Sequence, residues 1–150
     1  MAKVLIIMGS KSDLEVLSKA EAFFDEQEIE YETIVASAHR NPEKVQEVAK
    51  RAEKEIDVVI AAAGMAAHLP GVMASLVSKP VIGVPINASP FQGMDSLLAI
   101  VQMPTGIPVA TVAVNGARNA AILAMQIMSL GDPSLRKKFL QFREALSNGI

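Results

Sequence analysis

Five short apolar runs alternate with helix-type patterns along this chain, and this alternation restricts the fold more than any other feature. The runs lie at residues 4–8, 31–36, 57–62, 81–84 and 109–114. Most of them are continuously apolar, which is typical of strands that are covered on both faces. Because parallel strands are joined by crossovers that place helices on both sides, the pattern predicts a parallel sheet between two helix layers.

The segments between these runs have the spacing of helices. The first helix is predicted to begin at a capping box formed by Ser12 and Glu15 and to run to about residue 27. Further helices are predicted at 43–55, 69–77, 95–102 and 119–130, and a last one begins at Asp132 and Pro133. We expect a three-layer α/β/α fold with the flavodoxin-like strand order 2-1-3-4-5 and a C-terminal helix. At 150 residues, we expect the chain to form one domain, 1–150.

Composition excludes several classes of function. The formal net charge is -2 with both signs interspersed, so a grip on nucleic acid through its phosphates is not expected. The chain has no Cys, which excludes disulfides and a thiolate nucleophile. Two long uncharged stretches, 58–78 and 96–117, are interrupted by Pro, Gly and polar residues, which argues against membrane spans. Without a signal-peptide pattern at the start, we expect a cytoplasmic protein.

The chemically interesting residues follow the strands. In open parallel sheets, ligands bind beyond the carboxyl ends of the strands, where the strand order reverses. The loops at 9–13, 37–40 and 63–68 occupy those positions, and they contain both histidines of the chain, His39 and His68. His39 and Arg40 directly precede a helix start at Asn41 and Pro42. An imidazole, a guanidinium and helix-terminal N–H groups in one small volume suit a phosphorylated substrate and a proton transfer.

The first of these loops is a candidate anion-binding loop. Gly9 permits a tight turn, and the hydroxyls of Ser10 and Ser12 can face a phosphate. The loop lacks the Gly-Lys-Ser/Thr ending of a Walker motif, so hydrolysis of nucleoside triphosphates is not indicated. Asp13 either offsets the helix dipole or binds ribose hydroxyls, and the sequence leaves both open. Two histidines without Cys or a carboxylate cluster do not suggest a metal site.

Five motifs together resemble the PurE family of purine biosynthesis. They lie at residues 8–13, 37–42, 66–71, 93–97 and 102–104, in order over almost the whole chain. The resemblance implies flavodoxin-like subunits in a homo-octamer, with each active site shared between neighbours and no cofactor. The sequence Ala66 to Gly71 resembles the bacterial mutase class (class I), in which a carboxylate moves from the exocyclic nitrogen of an aminoimidazole ribonucleotide to C4 of the ring.

The resemblance also implies roles for individual residues. His39 matches the family's catalytic acid/base. The residues that match substrate-binding positions are Ser12, Ser37 and Arg40 for the phosphate, Asp13 for the ribose, and Ser10 and His68 near the imidazole ring. We expect the helix at 119–130 and the last helix to lie at subunit contacts.

The chain departs from the family pattern in its third loop. Ala62 and Met65 stand where family members often have Gly, and we expect both to restrict positive φ and to add bulk beside the pocket. Thr105 and the loop 87–92 also differ. Two alternative functions stay open: a direct aminoimidazole ribonucleotide carboxylase, and a non-catalytic module that binds flavin or a nucleotide. The second is disfavoured because the chain has no Trp, one Tyr and five Phe for stacking on a flavin.

Overall fold

The computed structural model describes residues 3–149 and contains the expected parallel sheet in the order β2-β1-β3-β4-β5. Its strands are β1 (Lys3–Met8), β2 (Glu30–Val35), β3 (Val58–Gly64), β4 (Val81–Ile86) and β5 (Ala110–Thr111). Met8, the last residue of β1, pairs with Val35 of β2 and with Ala62 of β3. The carboxyl ends of β1 and β2 are therefore level, and β3 continues two residues further, to Gly64, so the loops that follow the three strands emerge side by side.

Six helices cover the two faces of the sheet. They are α1 (Leu14–Gln27), α2 (Pro42–Glu55), α3 (Leu69–Leu76), α4 (Met94–Val101), α5 (Ala117–Met128) and α6 (Pro133–Ser147). Residues alternate along β1, so that Val4 and Ile6 pack with α1, α5 and α6 while Leu5 and Ile7 pack with α2 and α3. Burial on both faces explains why this strand is continuously apolar. The three-layer α/β/α fold with a C-terminal helix is confirmed.

The beginning of α1 differs from the expectation. The predicted capping box does not form, because a short 3-10 turn, Lys11–Asp13, precedes the helix. Ser10 caps this turn by accepting a hydrogen bond from the Ser12 N–H, with 3.3 Å between the two heavy atoms. The Ser12 hydroxyl instead lies 2.9 Å from the Ser10 hydroxyl. The extra turn thus places both serine side chains together beyond the end of β1.

The fifth strand is shorter than predicted. Only Ala110 and Thr111 pair as a strand, although the chain stays beside β4 for several more residues. Val112 N–H donates to the Gly83 carbonyl at 3.2 Å, and Asn115 N–H donates to the Pro85 carbonyl at 2.7 Å. β5 has β4 as its single neighbour, so it lacks the second ladder that would hold it in register.

Helix α5 is buried on several sides, as its apolar composition predicts. It packs against α1, against β3 and β4, and against α6. The two long uncharged stretches of the sequence are distributed over strands, loops and short helices of this fold. Within residues 3–149, no helix is both long enough and apolar enough to cross a bilayer.

Candidate active site

The loops after β1, β2 and β3 line one open cleft of about 730 Å³ at the carboxyl ends of the strands. The cleft lies where the strand order reverses between β1 and β3, which is the position expected for ligands in such sheets. All seven residues predicted for the site line it: Ser10, Ser12, Asp13, Ser37, His39, Arg40 and His68. The structure therefore brings together residues that are up to 58 positions apart in the sequence (68 − 10 = 58).

The two histidines are in contact across the cleft. His39 Nε2 lies 3.3 Å from His68 Nδ1, and the two rings meet edge to face at 74° with their centroids 5.4 Å apart. His39 comes from the turn between β2 and α2, and His68 directly precedes α3. One of these two nitrogens must donate the hydrogen bond and the other must accept it, so the two rings hold each other in position.

Ser37 shapes the turn that presents His39. Its hydroxyl oxygen accepts hydrogen bonds from the backbone N–H of Arg40 at 3.1 Å and from Arg40 Nε at 3.3 Å. Its carbonyl accepts from the N–H of Asn41 at 2.8 Å. Asn41 then caps α2 and Pro42 occupies the first turn, as the sequence predicts. The turn between Ser37 and Asn41 is thus fixed at both ends, with the exposed His39 side chain in its middle.

Arg40 links the second loop to the first. Its Nη2 donates to the carbonyl of Gly9 at 2.9 Å, while its Nε is bound to Ser37. A guanidinium has five N–H donors, and these two contacts use two of them. The other N–H donors of the guanidinium can bind an anion that enters the cleft.

Asp13 is the buried charged residue of the site, with 7% of its surface exposed. Burial raises the pKa of its carboxyl group, against the opposing effects of a hydrogen bond to the Ser10 backbone and of the Arg40 charge. Asp13 is the N-cap residue of α1, yet its side chain makes no capping hydrogen bond. Its carboxylate oxygens are therefore not committed to the helix end, which favours a ligand-binding role over a capping role.

The third loop corrects one expectation about the replaced glycines. Ala62 lies inside β3, is fully buried and has extended backbone geometry, so it imposes no restriction on positive φ. Met65 does adopt a left-handed conformation, with φ of 58°. Its side chain lines the cleft, and the residue is 59% exposed. The loop thus forms with a methionine in a conformation that favours glycine.

The sequence reasoning missed the residues that give the cleft its shape. Ala88, which follows β4, lines the cleft together with Leu69 at the start of α3. A Cβ added at Gly64 would lie 2.7 Å from the Ala88 side chain, so only glycine fits there. These residues carry no reactive group, and the position of residue 88 just after a strand is the only signal that could have found it.

A second groove, of about 480 Å³, lies between α1, α5 and α6. Arg118 pairs there with Glu26 at 2.8 Å, and Lys138 pairs with Glu28 at 2.9 Å. These charges are largely neutralised by one another, which makes the groove a poor anion site. Among residues 3–149, no three His, Cys, Asp or Glu side chains come together as a group that could hold a metal ion.

Comparison with known proteins identifies the family. A family model described as AIR carboxylase matches residues 3–148. The chain belongs to the AIR carboxylase family. Two curated relatives of this family, both named N5-carboxyaminoimidazole ribonucleotide mutase, come from Pyrococcus abyssi and Saccharolobus solfataricus. The first is 54% identical over 145 residues, covering 96% of this chain and 83% of the relative. The second is 52% identical over 151 residues, covering 100% of this chain and 96% of the relative.

Solved structures agree with this assignment. The crystal structure of Treponema denticola PurE superposes on the AIR carboxylase fold of this chain with a TM-score of 0.90 and 29% identity. The match covers 99% of this chain and 93% of the other. The resemblance to the PurE family, drawn above from five motifs, is confirmed.

Proposed function

We propose that this chain is an N5-carboxyaminoimidazole ribonucleotide mutase in which His39 is the general acid and base. The main support for this proposal is the composition of the cleft. It contains a histidine pair, with hydroxyl groups and a guanidinium on one side of the pair and an apolar loop on the other. The mutase name shared by the curated relatives supports this reaction. It also makes the chain an isomerase.

The polar side of the cleft suits a ribose 5-phosphate. Arg40 offers its remaining N–H donors to the phosphate, and the Ser37 hydroxyl, which accepts from Arg40, still has its own hydrogen to donate. The Ser10 and Ser12 hydroxyls form a pair in which one donates to the other, so one hydroxyl hydrogen stays available. Asp13 accepts hydrogen bonds from the ribose hydroxyls. These contacts hold the ring still while the carboxylate moves.

The proposed chemistry exchanges one bond for another. The bond between the exocyclic nitrogen and the carboxylate carbon breaks, its electron pair stays on nitrogen, and that nitrogen takes a proton from His39. The electron-rich C4 of the ring then attacks the carbon of the released carbon dioxide. Finally His39 removes the C4 proton and returns to its first state. An imidazole suits both transfers because its unperturbed pKa is about 6.5, close to neutral pH.

In this proposal His68 orients the catalytic imidazole. Its Nδ1 lies within hydrogen-bond distance of His39 Nε2, so the two nitrogens can share one hydrogen bond in the free site. When substrate enters, the exocyclic nitrogen replaces His68 as the partner of His39. His68 then lines the site beside the imidazole ring.

The alternative of a direct aminoimidazole ribonucleotide carboxylase is kept because the matching family model bears that description. The two activities differ in the source of the carboxylate. The purified protein should convert the synthetic carbamate substrate to the C4 carboxylate in buffer depleted of bicarbonate. Product formed from aminoimidazole ribonucleotide and concentrated bicarbonate, with none formed from the carbamate, would instead establish the carboxylase.

A homo-octamer is part of this proposal. Exposed apolar side chains cluster on and before α4, where Phe91 is 71% exposed and Met94 is 56% exposed, with Leu98 and Val101 on the same helix. Side chains of this kind are commonly covered by another subunit. The apolar residues of helix α5 pack within the core of the subunit and do not by themselves indicate a subunit contact. The expectation that α5 lies at such a contact therefore stays a prediction. Helix α6 does expose Leu140 and Leu146.

A further inference from the structure

Met65 is the residue of the cleft whose conformation is hardest to explain by local structure. Four residues other than glycine have positive φ within residues 3–149: Glu28, Met65, Gln92 and Asn115. Glu28 ends α1 as a left-handed cap, and asparagine tolerates this region well. Met65 neither ends a helix nor carries a short polar side chain. A left-handed conformation costs a residue of this type about 1–2 kcal/mol relative to the right-handed region.

The loop that carries Met65 is fixed at both ends. On one side, Gly64 packs so closely on Ala88 that a Cβ would not fit. On the other, Leu69 at the start of α3 is 2% exposed and packs in the core. The anchored loop therefore imposes the left-handed conformation of Met65, and it fixes the point from which the methionine side chain lines the cleft. Strain that persists in an anchored loop beside an active site suggests a role for the side chain.

The position of Met65 in the cleft indicates what that role is. Hydroxyls and the guanidinium occupy the loops after β1 and β2, whereas the loop after β3 contributes His68 and several apolar groups. Among these groups, Leu69 is already buried, while Met65 leaves 59% of its surface exposed. A methionine is unbranched and polarizable, so it can pack against the face of a planar ring. It is therefore the largest apolar group in this loop that a bound ligand can still cover.

We propose that the Met65 side chain closes over the imidazole ring of the bound ribonucleotide and retains the carbon dioxide released during the reaction. This inference rests on the proposed mutase function. A site that frees carbon dioxide must recapture it before it escapes or before water enters. Glycine at position 65 would remove the backbone strain but leave the ring uncovered. Met65 thus lowers the stability of the local backbone but helps to retain the released carbon dioxide.

The first experiment measures that retention directly. Wild type and the variants Met65→Gly, Met65→Ala and Met65→Leu are given substrate with a 13C carbamate in buffer containing unlabelled bicarbonate. Product from wild type and from Met65→Leu should keep its label, since leucine preserves the apolar bulk. Met65→Gly and Met65→Ala should release aminoimidazole ribonucleotide and lose label about tenfold more often, equal to about 1.4 kcal/mol of discrimination between recapture and escape.

Thermal unfolding separates this role from a structural one. Met65→Gly should be at least as stable as Met65→Ala, because only glycine relieves the left-handed strain. If Met65 had only a structural role, Met65→Gly should therefore be a better enzyme than Met65→Ala. The proposal would be overturned if the products of Met65→Gly and Met65→Ala kept all of their label. It would also be overturned if wild type lost as much label as these two variants.

A second experiment does not depend on turnover. Dilute hydrogen peroxide is applied with and without aminoimidazole ribonucleotide, and methionine sulfoxide is located by mass spectrometry. Met103, which is half-buried and lies outside the cleft, is the control. Bound nucleotide should slow oxidation of Met65 and leave Met103 unchanged. Binding of the nucleotide is measured separately by calorimetry. If the nucleotide binds but does not protect Met65, the proposal that Met65 covers the ring is wrong, while the proposed function stands. If the nucleotide does not bind, the proposed function is contradicted as well.

Discussion

At the scale of single residues, His39 carries the proposed chemistry. His39→Asn should keep the fold, because the side chain is exposed. Its mutase rate should fall by about 10²–10⁴, the usual contribution of a positioned acid/base group. Steady-state assays and urea unfolding measure the two properties. Substantial residual turnover in a folded variant would remove His39 from the central role.

Replacing Asp13 should raise the stability of the protein and weaken substrate binding. Burial raises its pKa above the usual 3.8, so the folded state holds the proton to higher pH than the unfolded chain does. Stability therefore falls as pH rises from near 4 through the raised pKa. Asp13→Asn lacks this titration, and its free energy of unfolding relative to wild type should increase across that window.

The same variant should bind substrate less well. An amide has one oxygen acceptor where the carboxylate has two, so the ribose hydroxyls lose a partner and KM should rise about tenfold. Urea unfolding between pH 3.5 and 7, together with steady-state kinetics, measures both effects. A pH-independent stability difference would show that burial does not govern Asp13, and an unchanged KM would remove it from the ribose site.

The site residues that the sequence could reveal are those with reactive groups. His39, His68 and Arg40 stand out because their types are rare or charged and because they follow apolar runs. Gly64 and Ala88 contribute only shape, and their close approach exists only after β3 and β4 have paired. The left-handed conformation of Met65 could be anticipated only through the family resemblance, which has glycine at this position, because the anchored ends of the loop impose it.

At the scale of elements, Arg40 joins the loop after β2 to the loop after β1. Arg40→Lys keeps the charge, but an ammonium is a single point and cannot reproduce the fork that reaches both Ser37 and Gly9. We expect KM to rise about tenfold with a smaller change in kcat, because the two loops that we propose as the phosphate site would lose their alignment. Initial-rate measurements over a range of substrate concentrations test this. An unchanged KM would mean that charge alone holds the phosphate.

Gly83 in β4 lets α4 approach the sheet. A Cβ at this position would lie 2.4 Å from Ile100 Cγ2 and 3.0 Å from Val109 Cγ1. Gly83→Ala should therefore lower the free energy of unfolding by about 1–3 kcal/mol, as overpacking a core does. Gly131→Ala is the control, because nothing lies within 4 Å of its added Cβ. Equal unfolding midpoints for the two variants would show that the helix moves away without cost.

The elements themselves were largely predictable, and their ends were not. All five strands and six helices are present where the apolar spacing places them. The strand at 109–114 shortened to Ala110–Thr111 because it has a single neighbour, a fact of topology that no local pattern contains. The capping box failed because Ser10, two residues earlier, caps an additional turn. Two serines at this spacing compete for the cap, and backbone geometry decides between them.

At the scale of the whole molecule, the reversal of strand order places the chemistry. β1 lies between β2 and β3, the two strands that follow it in the sequence, so the chain winds first to one side of β1 and then to the other. The neighbouring carboxyl ends of these three strands bring the hydroxyls, the histidine pair and the apolar loop to one cleft. The polar and apolar sides of that cleft match the two ends of the proposed ribonucleotide substrate. We therefore expect the fold to orient the substrate before any side chain reacts with it.

Assembly can be tested with two charged substitutions on exposed leucines. Leu98 is 48% exposed on the apolar face of α4, and Leu130 is 81% exposed just after α5. If α4 forms the subunit contact, Leu98→Glu should yield smaller particles in light scattering, because burying an unpaired carboxylate is costly. Leu130→Glu should then stay assembled. The opposite result would place the contact at the end of α5, and a wild-type monomer would contradict the octamer.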